Sequence, residues 1–342
     1  MQTFNIFNTG INPAGIAITP NGKYAYVANN NNYGINGSDN VTVLDLIKGV
    51  PKTTINDNSF NEPYRIAIDH HGRYAYVCNS GSTTISIINI ELNQVVNVID
   101  EFNGPSGIVL SKTSGYVINY GAGAESGNGN TLSVIDLNRK IIVNTIQVDQ
   151  APASLVINRD ATLLYVVCYV DGNHNTGVLD VIDINTNAII NRIPGLFGPF
   201  GVVLSKDELY AYVTNFGSNN FSPFGTSVAV IDLMRNNIVR TIETGIQPAA
   251  IAISSCGKYI YVSNYNTLYA GSNFQNLTAG EGTISVIRTR DNTVKSTISV
   301  GQSPSGLCIS PDGKQLYVSK YIQNTVTAIS LNFQDESHKR CK

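Results

Sequence analysis

Side chains suited to proton transfer are few in this sequence. Of its four histidines, only His174 lies in a long predicted loop on the candidate functional face; the others are His70, His71 and His338. An imidazole exchanges a proton near neutral pH. Asp171 lies nearby in the stretch DGNHNT, and Glu125 in GAGAESG is a second proton carrier. General acid–base chemistry by His174 or Glu125 is one hypothesis, and a solvated loop histidine is its alternative.

Arg65 is the residue whose context suggests anion binding. A proline recurs at seven places in the sequence. Two positions after it, one place has Arg65 and the other six have a small residue: Gly15, Gly107, Ser154, Gly201, Ala250 and Gly306. Arginine holds a carboxylate through two parallel hydrogen bonds. Arg65, beside Tyr64 and together with Lys320, is therefore predicted to hold an anion. The alternative is a surface ion pair with Glu62, which would contribute little to stability.

Motifs for cofactors and metals do not emerge from the sequence. The five cysteines are irregularly spaced without a CxxC pair, which argues against a zinc site and a disulfide framework and predicts small buried side chains. The stretch GAGAESG opens no predicted helix, so it lacks the geometry of a dinucleotide-binding turn. The Asn-rich stretch at 29–40 lacks EF-hand spacing. We predict no cofactor and no metal.

The charge and hydropathy of the chain limit its expected partners. The formal net charge is −2 and the pI is about 6.1, without a cluster of lysine and arginine, so nucleic acid is not an expected partner. No apolar run approaches the ~18 residues of a membrane span. The N-terminal MQTFNIF lacks the basic and apolar parts of a signal peptide. We expect a monomer that stays in the cytoplasm or is exported by a non-classical route.

Seven repeats account for nearly the whole chain. Each begins at a proline, and the tyrosine of a Tyr-Val pair follows 13 residues later in six units and 11 residues later in the third. The prolines are Pro13, Pro63, Pro105, Pro152, Pro199, Pro248 and Pro304. Each unit has a short apolar run, a tight turn, the Tyr-Val run and a third β-branched run, and the first six units add a fourth. This order predicts strands A to D.

The spacing concentrates the length variation in the loop between strands B and C. From the end of strand C to the end of strand D is 10 residues in all six complete units, whereas the gap from B to C ranges from 10 to 24. Repeated four-stranded units are typical of a β-propeller. The seventh unit stops after strand C at Leu331, and the N-terminal TFNIF supplies its missing strand. We predict an all-β, seven-bladed β-propeller of four-stranded antiparallel blades over residues 1–331, closed by the N-terminal strand, with a polar tail at 332–342.

The recurring pattern P-x-G-[IV]-x-[IL]-[ST]-P-[DN]-G-K, then Y-V-x-N, then [VI]-[ST]-V-I-D, resembles the YVTN family of β-propeller repeats over residues 3–331. The resemblance implies the seven-bladed fold. It does not imply one function, because similar propellers include surface-layer proteins, lactonases, a streptogramin-type lyase and quinoprotein subunits.

The face that carries the B–C and D–A loops, the long-loop face, is the predicted functional face. Alternating strand directions put both kinds of loop at one end of the blades, and binding residues tend to lie on variable loops held by a rigid scaffold. An aromatic residue directly follows the Y-V-x-N position in five units: Tyr120, Tyr169, Phe216, Tyr265 and Tyr321. With Phe200, these residues are predicted to stack on a ligand or partner; the alternative is packing beneath their own loops.

Asparagine recurs as the last residue of strand B in five units: Asn29, Asn79, Asn119, Asn215 and Asn264. Asparagine side chains commonly bond backbone groups in turns. We therefore expect these residues to satisfy the backbone of the adjoining loops.

Three functions are open at this point. The first is a non-catalytic binding or scaffold protein that engages a protein or glycan through the long-loop face. The second is an enzyme of the lactonase or lyase type, with Arg65 holding the substrate anion at the channel mouth. The third is a structural surface-layer element. The loop variation, the aromatic residues and the lack of a clustered acid–base set favour the first.

Overall fold

The computed structural model describes residues 4–31, 39–121, 127–169, 176–217, 224–270 and 276–331. Its 30 β-strands form seven four-stranded antiparallel sheets and one small hairpin. Each innermost strand contacts the innermost strand of the next sheet, and the seventh contacts the first, so the sheets form a closed ring. The predicted seven-bladed β-propeller is confirmed. No helix in these ranges is long and apolar enough to cross a membrane.

Strands are numbered in chain order, and the first blades follow the predicted order A to D. Strand β1 (Phe4–Asn8) precedes blade 1. Blade 1 comprises β2 (Pro13–Ile18), β3 (Tyr24–Asn29), β4 (Asn40–Asp45) and β5 (Val50–Asn56). Blade 2 comprises β6 (Pro63–Ile68), β7 (Tyr74–Asn79), β8 (Ile85–Asn89) and β9 (Gln94–Ile99). Blade 3 comprises β10 (Pro105–Leu110), β11 (Ser114–Asn119), β12 (Thr131–Asp136) and β13 (Ile141–Gln147).

Blades 4 to 7 continue this order. Blade 4 comprises β14 (Pro152–Ile157), β15 (Leu163–Cys168), β16 (Gly177–Asp183) and β17 (Ala188–Leu196). Blade 5 comprises β18 (Pro199–Leu204), β19 (Tyr210–Gly217), β20 (Phe224–Asp232) and β21 (Asn237–Glu243). Blade 6 comprises β22 (Pro248–Ile253), β23 (Tyr259–Asn264), β26 (Glu281–Arg288) and β27 (Thr293–Gln302), with the hairpin β24 (Thr267–Ala270) and β25 (Asn276–Ala279) in its B–C loop. Blade 7 comprises β28 (Pro304–Ile309), β29 (Gln315–Lys320) and β30 (Thr325–Ser330).

The N-terminal strand completes blade 7, as predicted. Strand β1 pairs antiparallel with β30, with Phe7 opposite Val326. The Phe7 ring is 2% exposed and packs against Tyr317 of blade 7 and Leu44 of blade 1. The chain therefore closes the ring by hydrogen bonds and by core packing. The predicted polar tail at 332–342 lies outside the described residues.

The core lies between neighbouring blades, and the Tyr-Val motif helps to build it. Strands B and C are nearly all buried because a neighbouring blade covers each of their faces. The Tyr26 hydroxyl of blade 1 donates to Asn93 Oδ1 of blade 2 at 2.7 Å, and the Tyr212 hydroxyl of blade 5 donates to Asn292 Oδ1 of blade 6 at 2.9 Å. Burial raises the pKa of Tyr212 to about 12, so the phenol stays a donor. The motif is a structural link between blades.

The D–A connection has the same geometry in every blade. The residue before each opening proline has a positive φ of 49–57°: Asn12, Glu62, Gly104, Ala151, Gly198, Gln247 and Ser303. The carbonyl of each accepts a hydrogen bond from the N–H of the residue that follows strand B, as in Tyr169 to Ala151 at 2.8 Å. This bond fixes the aromatic residues after strand B beside the D–A loops.

The cysteines follow the prediction only in part. Cys78 and Cys168 are buried free thiols, and Cys308 is a half-buried one. Cys256 is half-buried and disulfide-bonded, so the prediction of a small buried apolar side chain is wrong at this position, whereas one bonded cysteine does not contradict the prediction against a disulfide framework. An odd count and irregular spacing argue against a framework of several bridges but cannot reveal one bridge.

Candidate ligand-binding site

The innermost strands enclose a cavity of about 170 Å³ in the central channel. The aliphatic residues three positions after each opening proline line it in blades 2 to 7: Ile66, Ile108, Leu155, Val202, Ile251 and Leu307. Arg65, Ser154 and small residues two positions after the proline complete the lining. Arg65 is the only charged residue of the described chain in this lining. The predicted placement of Arg65 on the innermost strand is confirmed.

The close approach of neighbouring A strands explains why this position is small in the other blades. A Cβ on Gly15 would lie 2.4 Å from the Tyr64 carbonyl oxygen, and one on Gly306 would lie 2.2 Å from that of Ala14. Such contacts require the backbone to shift, so glycine permits the approach. The packing of neighbouring blades alone therefore does not favour an arginine such as Arg65 at this position.

Arg65 stacks on its neighbour but forms no ion pair. The guanidinium carbon lies 5.3 Å from the centroid of the Tyr64 ring, within the range of a cation–π interaction. No carboxylate of the described residues is within ion-pair distance of Arg65. The alternative of an Arg65–Glu62 ion pair is therefore wrong. The Glu62 N–H instead donates to Asp39 Oδ2 at 2.8 Å, and burial followed by the charge of Asp39 raises the pKa of Glu62.

Four of the predicted aromatic residues form one cluster on the long-loop face. Phe216 and Tyr265 are buried around Ala249, with Phe200 and Tyr321 partly buried against them. The ring centroids of Phe200 and Phe216 are 5.3 Å apart, and those of Phe216 and Tyr265 are 6.4 Å apart. This aromatic cluster spans blades 5 to 7 and adjoins Gly201 of the cavity lining. The residues pack against one another across blades, and parts of the B–C loops that follow Phe216 and Tyr265 lie outside the described residues, so packing beneath their own loops stays the alternative.

Tyr169 and Tyr120 lie outside the aromatic cluster. Tyr169 is buried, and its hydroxyl donates to the Gly217 carbonyl of blade 5. Tyr120 is half-buried against the core between blades 3 and 4. These contacts give both residues a structural role, and their predicted part in ligand stacking stays a prediction.

The recurring asparagines bond mainly to side chains of strand C and the residues next to it, and Asn119 and Asn215 also accept from loop backbone, so the expectation of bonds to loop backbone is confirmed only in part. Asn79 Nδ2 donates to Thr84 Oγ1 and Ser86 Oγ, each at 2.9 Å, and Asn264 Nδ2 donates to two hydroxyls in the same way. In blade 5 the Asn215 Oδ1 also accepts from the Phe197 N–H at 3.1 Å. We call this arrangement the asparagine clip.

Lys320 occupies the clip position of blade 7. It is 6% exposed, and burial lowers the pKa of its ammonium group. The two strand C hydroxyls that a clip would engage, Thr325 Oγ1 and Thr327 Oγ1, are buried without a hydrogen-bond partner. Lys320 does not line the cavity, so the structure brings only Arg65 of the predicted pair to it. Among the described residues, Lys320 therefore makes none of the hydrogen bonds of the asparagine clip.

Lys320→Asn is expected to raise the free energy of unfolding by about 1 kcal/mol, because the amide would bond Thr325 and Thr327 and a desolvated charge would be lost. Asn264→Ala, the reverse change in blade 6, is expected to lower it by a similar amount or more. Urea unfolding of both variants checks this. Destabilisation by Lys320→Asn would contradict the clip interpretation.

Sequence reasoning missed a buried carboxylate in blade 4. Asp180 stands where other blades have a clip hydroxyl, and its side chain is fully buried. Arg192 Nε lies 3.3 Å from Asp180 Oδ1 and 2.9 Å from Asp149 Oδ2, and the Asp149 N–H donates to Asp180 Oδ2 at 3.1 Å. Burial raises the pKa of Asp180 to about 6. The signal was the sequence LDVID, which has aspartate where other units have serine, threonine or alanine.

The predicted proton-transfer residues His174, Asp171 and Glu125 lie outside the described residues. Within the described residues, no group of three or more histidine, cysteine, aspartate or glutamate side chains could hold a metal ion. The prediction of acid–base chemistry at the channel mouth therefore stays a prediction.

The chain forms a seven-bladed β-propeller, and Arg65 lines the cavity in its central channel. The family profile described as "Lactonase, 7-bladed beta-propeller" matches residues 2–111 and 185–337. The chain belongs to this family.

Individual relatives match the chain in part of its sequence or in its fold. The chain is 30% identical over 101 residues to Antigen Lp49 of Leptospira interrogans; the match covers 30% of this chain and 22% of that protein. Among solved structures, it is similar to Kuenenia stuttgartiensis hydrazine synthase, with a TM-score of 0.77 and 21% identity over 94% of this chain and 96% of that one. A chain in the mitotic checkpoint complex has a TM-score of 0.73 and 13% identity, covering 95% and 90%. Both structural likenesses concern the fold alone.

Proposed function

We propose that this protein is a non-catalytic binding protein that engages a protein or glycan partner through its long-loop face. The observation that carries the proposal is the aromatic cluster of Phe200, Phe216, Tyr265 and Tyr321. Its two buried members hold its two partly exposed members in place. Rigid, partly exposed aromatic side chains bind partners with little loss of conformational entropy.

The loops support the same proposal. In every blade strand B ends and strand C begins on the long-loop face, and the gap between them ranges from 10 to 24 residues. The opposite face has short turns of nearly constant length. Variable loops on a rigid scaffold are the usual location of binding residues.

The double variant Phe200→Ser/Tyr321→Ser is expected to lose partner capture, because it removes the apolar contacts of the cluster while leaving Phe216 and Tyr265 in place. Truncation of such anchors commonly costs more than about 2 kcal/mol of binding, or roughly 30-fold in affinity. The measurement compares glycan-array signals and proteins captured from a lysate of the source organism between wild type and variant.

The matched control is Leu209→Ser/Met234→Ser, which removes two exposed apolar side chains from turns of the opposite face. This control is expected to keep every signal of the wild type. Equal capture by the face variant, or equal loss in the control, would contradict the proposal.

Lactone hydrolysis is the second candidate function, and the family description supports it. In this case Arg65 would hold the carboxylate of the substrate or product, and His174 or Glu125 would transfer the proton. A screen of lactones with wild type, Arg65→Gln and His174→Ala tests it. Turnover by the wild type that both variants retain in full would exclude these residues as the machinery.

A further inference from the structure

We infer that the central cavity is a binding site for a short monocarboxylate group, held by Arg65. This inference is independent of partner binding by the aromatic cluster, because it rests on the cavity lining alone. Arg65 has a guanidinium without a carboxylate partner among the described residues, in a cavity open to a small ligand. A planar guanidinium pairs with a carboxylate through two parallel hydrogen bonds.

The geometry around Arg65 favours a ligand over a purely structural role. Neighbouring blades accommodate this position with glycine or another small residue, and packing there is closest without a side chain. Tyr64 supports the guanidinium from one side by stacking, and the guanidinium's hydrogen-bond donors have no acceptor among the described residues. Ser154 lines the same cavity, and its hydroxyl has no hydrogen-bond partner among the described residues. Two residues with hydrogen-bond donors therefore line one small cavity.

Charge and size of the cavity select the class of anion. Arg65 is the one charged side chain of the described residues in the lining, and aliphatic lining residues such as Leu155 and Val202 are themselves largely buried. One cationic group matches one negative charge, whereas a doubly charged phosphate would leave a charge unpaired. A cavity of about 170 Å³ fits a ligand of a few heavy atoms. Acetate, propionate and butyrate have this combination of charge and size.

Isothermal titration of the full chain with sodium butyrate tests the inference, with acetate, phosphate and butylamine as comparison probes. We expect butyrate and acetate to bind, and phosphate and butylamine to bind at least about 10-fold more weakly than butyrate, because only a monocarboxylate matches the single charge of Arg65. Arg65→Gln is expected to weaken butyrate binding by about 10-fold or more, because a hydrogen bond to a charged group is lost.

The matched control is Arg73→Gln, which removes an exposed arginine from the A–B turn of the same blade and is expected to bind butyrate as the wild type does. Unchanged binding in Arg65→Gln, or tighter binding of phosphate than of butyrate, would overturn the inference. If Arg65→Gln does not fold, equal binding of butyrate and butylamine to the wild type would overturn it.

The carboxylate has two sources, a free acid or the C-terminus of a peptide. A tetrapeptide ending in valine and its C-terminal amide distinguish them. Binding of the free peptide but not of its amide identifies a peptide terminus, whereas binding of butyrate alone identifies a free acid; both results support the carboxylate site. Equal binding of peptide and amide, together with no butyrate binding, would overturn it.

Discussion

Phe7→Asp is expected to lower the free energy of unfolding by more than about 3 kcal/mol, since it places a charge in the core between blades 7 and 1. The ring is 2% exposed and packs against Tyr317, with their centroids 6.4 Å apart. Strand β1 also provides all the hydrogen bonds to the outer side of β30. Loss of β1 would expose a strand edge that can pair with other chains.

Ile6→Asp is the matched control, because Ile6 is the preceding residue of the same strand and is 57% exposed. It adds the same charge and keeps the backbone pairing, so we expect only a small change in stability. Thermal unfolding and size-exclusion chromatography of both variants provide the measurement. Equal stability of the two variants would show that β1 is dispensable for closing the ring.

Arg192→Ala is expected to lower the free energy of unfolding by about 3 kcal/mol at pH 7, because it leaves the carboxylate of Asp180 buried without its cation. Arg235→Ala is the control, since the Arg235 side chain is 76% exposed in its 2.8 Å ion pair with Asp232, and backbone N–H groups also donate to the Asp232 carboxylate. We expect little change from the control. Urea unfolding at pH 7 measures both, and an effect of Arg192→Ala no larger than that of the control would contradict the account.

The ion pair of Asp180 and Arg192 also predicts that the free energy of unfolding depends on pH. The sign of this dependence follows from the pKa of Asp180. Its folded-state pKa of about 6 lies above the value of about 3.9 for an unfolded aspartate, so between these values only the folded state binds the proton. The contribution of Asp180 to stability is therefore present at low pH and falls as the pH rises through this window. Asp180→Asn is expected to remove this slope, and the defect of Arg192→Ala is expected to shrink from pH 7 to pH 5.

Repeat spacing was sufficient to predict the ring, because each blade repeats the same strand order, the same spacing from strand C to strand D and the same opening proline. The same spacing predicted that Arg65 lies on the innermost strand, since an unusual residue in a repeated position keeps the backbone geometry of that position. It was misleading for Lys320: the last residue of strand B in a clip position is directed at strand C, and no spacing in the sequence encodes that direction.

Contacts between distant segments were beyond the reach of the sequence pattern. The Asp180–Arg192–Asp149 group joins two strands of blade 4 to a D–A loop, and it depends on a register that only the folded sheet defines. The aromatic cluster similarly depends on how blades 5 to 7 pack against one another. The residue types were visible, but their neighbours were not.

We propose that a partner binds the long-loop face, whereas the Tyr-Val strands serve the fold. Hydrogen–deuterium exchange of the protein with and without its captured partner distinguishes these two roles. We expect added protection in peptides from the D–A and B–C loops, including those around Phe200 and Tyr321, and none in the A–B and C–D turns. Protection confined to the A–B and C–D turns would contradict it.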